Sequence, residues 1–167
     1  MIEHSVYLGL GSNLGDRLST LRQARQCLQE ATGIRTTKPS FLYQTTPVGG
    51  PADQPDYLNG VLEITTTLEP LELLKVCQSI EATFGRQRDI HWGARTLDID
   101  LLFYGNRVIA SQDLQLPHPR IAERGFVLQP LCDLAPYFIH PQHNMTFAAL
   151  LIKISPLQGV HRLNDLW

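Results

Sequence analysis

No stretch of this sequence approaches the run of roughly 20 apolar residues that a membrane-spanning helix needs. The opening "MIEHSVYLGLGSN" also lacks a charged region followed by an apolar core and a cleavage site. Cysteine is scarce. Cys27, Cys77 and Cys132 are odd in number, far apart and set among apolar neighbours, with no CxxC pair. That pattern argues against a disulfide framework or a cysteine-held zinc and predicts small, reduced core residues. An excess of either charge is missing too: 14 Lys+Arg against 16 Asp+Glu leave a net charge of −2. Such a chain has no general attraction for nucleic acid or an anionic membrane, so any basic character must be local. Repeats, low-complexity tracts and linkers are absent. The 167 residues therefore predict a single domain, 1–167, large enough to bury a real core, in a cytoplasmic protein.

The apolar pattern alternates between strand and helix periods. "SVYLGL" (5–10) predicts a first strand. Leu14, Leu18, Leu21, Leu28 and Ala31 then predict an amphipathic helix, capped by Ser12 or Asn13 and stopped by Gly33. "SFLYQTTPV" (40–48) reads as a second strand, running into a loop dense in Gly, Pro and Asp. "LNGVLEITTTL" (58–68) reads as a third, with Val61, Glu63 and Thr65 on one face and Leu62, Ile64 and Thr66 on the other. Pro70 opens a second helix whose buried stripe is expected at Leu71, Leu74, Ile80 and Phe84. After the cation-rich "RQRDIHWGAR" comes an apolar strand, a turn at "YGN" and a short return strand at "RVIAS". A helical stretch near 121–124 follows, then a segment in which Pro130 and Pro136 limit helix length, and a last short helix at "MTFAALLIKI". The β-β adjacency over 40–68 predicts a mixed α+β sandwich rather than a doubly wound parallel sheet.

Three features bear on chemistry. In "GLGSNLGD" the glycines follow a strand, but the third glycine of a dinucleotide fingerprint is displaced and no Lys-Ser/Thr follows, so a tight strand-to-helix turn is expected. In "RTLDIDLLFYG" two carboxylates, Asp98 and Asp100, interrupt an apolar strand on one face. A solvated face or pairing with Arg86 and Arg88 would explain an isolated Asp-x-Asp. Burial among Leu97, Ile99, Leu101 and Leu102 makes a cation necessary, and two oxygen ligands suit Mg²⁺. Five arginines (86, 88, 95, 120 and 124) surround the pair, which points to a Mg²⁺-polyphosphate. His118, between two prolines, is a candidate phosphate donor, whereas His140 and His143 are expected at the surface. The third feature is the loop "TTPVGGPADQPDYLN", where Tyr57, Asn59 and nearby Tyr43, with Trp92 and Phe126 elsewhere, suit a flat heterocycle. An enzyme, a Mg·ATP-binding module and a structural domain with an internal Asp/Arg network all remain open on these residues alone.

The stretches "GLGSNLGDR", "YQTTPVGGPADQPDYLN", "IEATFGRQR", "WGARTLDIDLLFYG" and "LPHPRIAERGFVLQPL" together, in this order, resemble the 6-hydroxymethyl-7,8-dihydropterin pyrophosphokinase family. The resemblance implies a ferredoxin-like α+β fold, a mainly antiparallel sheet with helices packed on it and mobile loops. It also implies transfer of pyrophosphate from ATP to the hydroxymethyl group of the dihydropterin, releasing AMP, in folate biosynthesis. It implies two Mg²⁺ ions at Asp98 and Asp100, with Arg86 and Arg95 also catalytic at the triphosphate. For ATP it implies Gln78, Glu81, Arg86, Arg88, Trp92, Arg95, Ile99, His118 and Arg124. For the pterin it implies Thr45, Thr46, Val48, Tyr57, Asn59, Trp92 and Phe126, the ring lying between Tyr57 and Phe126. No residue stands out as a general base, and no interface stripe argues for more than a monomer.

Overall fold

The computed structural model describes residues 1–47, 50, 52–85 and 96–167, with residues 36 and 37 described by backbone alone. Strands β1 (His4–Ser12), β2 (Ile34–Pro39), β3 (Leu42–Thr45), β4 (Tyr57–Thr66), β5 (Asp98–Tyr104) and β8 (Val160–Leu163) form one antiparallel sheet. The order is β5-β1-β4-β3-β8, and β2 lies beside β4 in line with β3. Helix α1 (Arg17–Glu30) connects β1 to β2, with β4 inserted between them in the sheet. Helix α2 (Pro70–Thr83) connects β4 to β5, with β1 inserted. Two interleaved split β-α-β units of this kind make the ferredoxin-like arrangement that the family resemblance implies.

Both faces of the sheet are covered. Leu21, Ala24 and Leu28 of α1 and Leu73, Cys77 and Ile80 of α2 pack on Val6, Leu8, Leu10, Leu62 and Ile64. On the opposite face, helices α3 (Gly125–Leu134) and α4 (Phe147–Ile154) pack on Tyr7, Val61, Leu102 and Phe103. The faces of β4 divide as its alternation predicts: Leu62 and Ile64 lie in one core and Val61 in the other.

Several boundaries differ from the expected ones. Asp16, not Ser12 or Asn13, caps α1, its Oδ1 accepting the Ser19 N–H at 3.1 Å. The glycines of "GLGSN" are not a turn, because β1 continues through Gly9 and Gly11 to Ser12. The second strand is shorter than expected, and β2 precedes it. Pro39 and Ser40 interrupt the edge, and Ser40 bridges the gap by bonding the Val61 carbonyl and N–H, each at 2.8 Å. On α2 the expected Ile80 is buried and Leu74 and Phe84 pack against the core, but Leu73 and Cys77 complete the buried stripe and Leu71 is exposed, because packing on the sheet selects the face. The return strand at 109–110, β6, pairs not with β5 but with β7 (Gln115–Leu116). Residues 121–123 form one turn of 3-10 helix leading into α3. Pro130 lies inside α3, where its missing donor costs only a bond to the first turn. His140 is interior: its Nδ1 accepts the N–H groups of Gln142 and His143 at 3.1 and 3.2 Å, and its ring stands edge-on to Phe103. All three cysteines are free thiols, as expected, with Cys77 fully buried.

Candidate active site

The site follows from a discontinuity on the α3/α4 face of the sheet. Along β1 this face carries Tyr7 and then, toward the strand's end, Gly9 and Gly11. Opposite these glycines stand Asp100 and Asp98, and across β4 stand Val61 and Asn59. One end of the face is therefore aromatic and aliphatic core, and the other is a polar floor without bulk on its central strand. A bulge between β1 and β5 separates the two: Leu8 pairs with Leu101 and Tyr7 with Phe103, leaving Leu102 extra. The extra residue lets Leu102 and Phe103 both enter the α3/α4 core while Asp98 and Asp100 keep a common face.

Gly11 has no room for a side chain. A Cβ there would collide with Asn59 Oδ1 and lie 3.5 Å from Tyr57 Cδ1. Asn59 donates from Nδ2 to Thr45 Oγ1 at 2.6 Å, and Thr45 pairs with Tyr57 across β3 and β4. Asp98, Asn59, Thr45 and Tyr57 thus belong to one patch of sheet. The adjoining loop is held by Arg17, which the sequence did not single out, and by Asn13, which it offered only as a helix cap. Asn13 Nδ2 donates to Gln54 Oε1 and the Pro55 carbonyl, and Arg17 Nη1 donates to the Asp56 carbonyl at 2.8 Å. Their signal was present in "GSNLGDR", but their partners are some 40 residues away in sequence.

Behind the floor sits Glu81, only 2 % exposed, which accepts the Ile99 N–H on Oε2 at 3.2 Å. Because β5 is an edge strand, this carboxylate occupies an outward-facing donor of the strand that carries both aspartates. The Ile99 side chain is in the α1/α2 core, and Gln78 is at the surface of α2.

Above the floor, the His118 N–H donates to the Leu102 carbonyl at 3.0 Å, which ties the "PHPR" segment to β5. Burial pushes the His118 imidazole down to about 4, with Arg124 and Arg120 adding to the effect and Asp98 opposing it. His118 is therefore neutral near pH 7, and its Nδ1 is buried without a hydrogen-bond partner among the described residues. Arg124 begins α3, its guanidinium 5.8 Å from the Phe126 ring centroid. Burial, then Arg120, holds Arg124 below the usual arginine value, against the pull of Asp100, Glu123 and Asp98. Two carboxylates, a neutral imidazole and a guanidinium therefore share one field. Arg86, Arg88, Trp92, Arg95 and Val48 lie outside the described residues, and Thr46 and Phe126 meet at a cavity beside α3.

The donor set can be tested against a divalent cation. Asp98 and Asp100 are half-buried, contribute oxygen only and stand across from Gly11 and Gly9, so a cation there would take its remaining ligands from water and phosphate. Mg²⁺ characteristically takes one or two carboxylates and fills its octahedron in that way. No cluster of three or more His, Cys, Asp or Glu occurs among the described residues.

Residues 7–136 match the family model described as 7,8-dihydro-6-hydroxymethylpterin-pyrophosphokinase. The chain belongs to this family. Its activity is accordingly that of a pyrophosphokinase, a transferase of folate biosynthesis. The family's 2-amino-4-hydroxy-6-hydroxymethyldihydropteridine pyrophosphokinase of Bacillus subtilis is 46 % identical over 77 % of this chain and 76 % of its own length. That of Pseudomonas aeruginosa is 40 % identical over 95 % and 96 %. Among solved structures, the pyrophosphokinase fold recurs in wild-type Plasmodium falciparum HPPK-DHPS with pterin and p-hydroxybenzoate. That likeness has a TM-score of 0.71 at 17 % identity, covering 91 % of this chain and 43 % of that one. The chain thus spans under half of that two-part protein and nearly all of the Pseudomonas pyrophosphokinase. No described helix is long and apolar enough to cross a membrane.

Proposed function

We propose that the chain, as one domain over 1–167, transfers the pyrophosphoryl group of ATP to the hydroxymethyl oxygen of 6-hydroxymethyl-7,8-dihydropterin and releases AMP. The reading rests on one observation above all: Asp98 and Asp100 share a half-buried strand face opposite two glycines, within the field of His118 and Arg124. Two Mg²⁺ ions held by Asp98 and Asp100 would supply charge neutralisation and orientation of the triphosphate. Arg124 binds phosphate oxygens from the start of α3, and Arg86 and Arg95 extend that role by family resemblance. His118, neutral before the nucleotide arrives, gives the phosphates a hydrogen-bond donor and gains basicity in their field.

The pterin lies between Tyr57 and Phe126, with Asn59 and Thr45 fixing its edge through the bond that already joins them. No described residue stands out as a base for the hydroxyl proton, so positioning and charge stabilisation carry the rate. In this reading the chain works in the cytoplasm as a monomer, with ATP and the dihydropterin as its partners and Mg²⁺ as its cofactor. Incubation with ATP, Mg²⁺ and the hydroxymethyl-dihydropterin is expected to yield AMP in proportion to pterin consumed. ADP as product, or ATP breakdown independent of the pterin, would contradict the assignment.

A further inference from the structure

A cavity of about 370 Å³ opens beside the start of α3, within the roughly 300–1,000 Å³ typical of small-molecule sites. Thr45 and Thr46 at the end of β3 and Arg124 and Phe126 at the start of α3 form one side. The other side is residues 154–160. That segment lies outside residues 7–136, which the family model matches, and none of the pterin or nucleotide positions assigned above falls in it.

Two contacts tie this segment to opposite halves of the pocket. Gly125 stands between Arg124 and Phe126, and a Cβ on it would lie 2.5 Å from Leu157 Cδ2 and 3.0 Å from Cδ1. Leu157 is thus seated on bare backbone at the first residue of α3. Two residues on, the Gly159 carbonyl accepts the Thr46 N–H at 3.0 Å. Gly159 has φ +67, and a Cβ there would lie 2.6 Å from Thr46 Oγ1. Val160 then pairs with Thr45 as β8 joins the sheet. Thr45 pairs in turn with Tyr57, so the chain of contacts runs from Phe126 through Leu157 and Gly159 to Tyr57.

We propose that residues 154–160 are a brace, with Leu157 and Gly159 as positioning residues that set the spacing between Phe126 on α3 and Tyr57 on the sheet. The proposal rests on the pterin reading above. A ring held between two aromatics gains from both only when their separation is set beforehand, and a misplacement near 1 Å is enough to lose much of that gain. Tyr57 is fixed by strand pairing, whereas Phe126 sits on a helix whose first residues carry no side-chain cap. The brace holds this end of α3 by packing Leu157 against Gly125.

The test measures pterin affinity in the presence of a non-hydrolysable Mg·ATP analogue, together with the affinity for that analogue alone. Leu157→Ala is expected to weaken pterin binding about tenfold while analogue binding stays within about twofold. Leu157→Met restores the wild-type value, and Gly159→Ala weakens pterin binding in the same selective way. Unchanged pterin affinity in both Leu157→Ala and Gly159→Ala would overturn the brace, as would an equal loss for both ligands. Phe126→Ala separates the two levels. If it weakens pterin binding and the brace variants do not, only the brace fails; if it has no effect, the pterin reading itself fails.

Discussion

His118 and His140 are both held at about 4, mainly by burial, yet their surroundings differ. His140 spends its Nδ1 on two backbone N–H groups of the turn before α4, so its role ends in the fold. The Nδ1 of His118 is buried with no such bond among the described residues, and the ring lies in the field of Arg124, Asp98 and Arg120. Both depressed values carry the same consequence for stability. The unfolded chain takes up these protons near pH 6.5 and the folded chain only near 4, so stability falls as pH drops through that window and levels off below it. In urea titrations, His118→Asn is expected to lose less stability between about pH 7 and pH 4.5 than the wild type does. An identical loss would show that His118 titrates normally in the fold. The carboxylate pair was legible in the sequence because strand alternation alone puts Asp98 and Asp100 on one face. The burial of His140 was not, since an HxxH spacing carries no information about the Phe103 ring that covers it.

At the scale of elements, β1 contributes an absence of side chains, and its effect depends on register. Gly9 and Gly11 fall opposite Asp100 and Asp98 because β1 and β5 are antiparallel, and they fall opposite Val61 and Asn59 on the other side. A strand-to-helix turn was the natural expectation for "GLGSN", and it was wrong for a physical reason. Close approach of neighbouring side chains selects glycine as strongly as a positive φ does, and sequence does not distinguish the two. Gly11→Ala is expected to drive Asn59 away from Thr45 and weaken pterin binding about tenfold, measured by calorimetry. Unaltered affinity would mean that Asn59 does not need its present place. Other elements hid for similar reasons. β2 and β8 are short edge segments whose partners lie far off in sequence, and the bulge at Leu102 becomes visible only once β5 is paired. α2 was legible from Pro70, but its stripe shifted from Leu71 to Leu73 and Cys77 once packing chose the face.

Across the described residues, two cores cover opposite faces of one sheet, and on the α3/α4 face the core gives way at one end to the polar floor. The α1/α2 core fixes β5 from behind through Ile99 and Glu81, and the α3/α4 core brings His118 and Arg124 over the front. The C-terminal Trp167 closes the frame: its Nε1 donates to the Ser40 carbonyl at 2.8 Å, where the edge of the sheet changes from β2 to β3. The general α+β class could be read from the order of strands and helices. The helix α4 was legible too, at "MTFAALLIKI", but not its place beside α3 on the second face of the sheet, because that pairing joins segments whose apolar patterns do not name their partner.

As proposed, Asp98 and Asp100 serve the site by holding metal on the half-buried face of β5. The most direct test is to count Mn²⁺, as a paramagnetic substitute for Mg²⁺, bound per chain with a non-hydrolysable ATP analogue, in the wild type and in Asp100→Ala. Turnover and urea midpoint are recorded on the same samples. The expected result is a folded variant with a near-wild-type midpoint, fewer bound ions and no AMP formation. Full metal occupancy with turnover preserved in Asp100→Ala would contradict the claim that the paired aspartates of β5 hold the metal for pyrophosphoryl transfer.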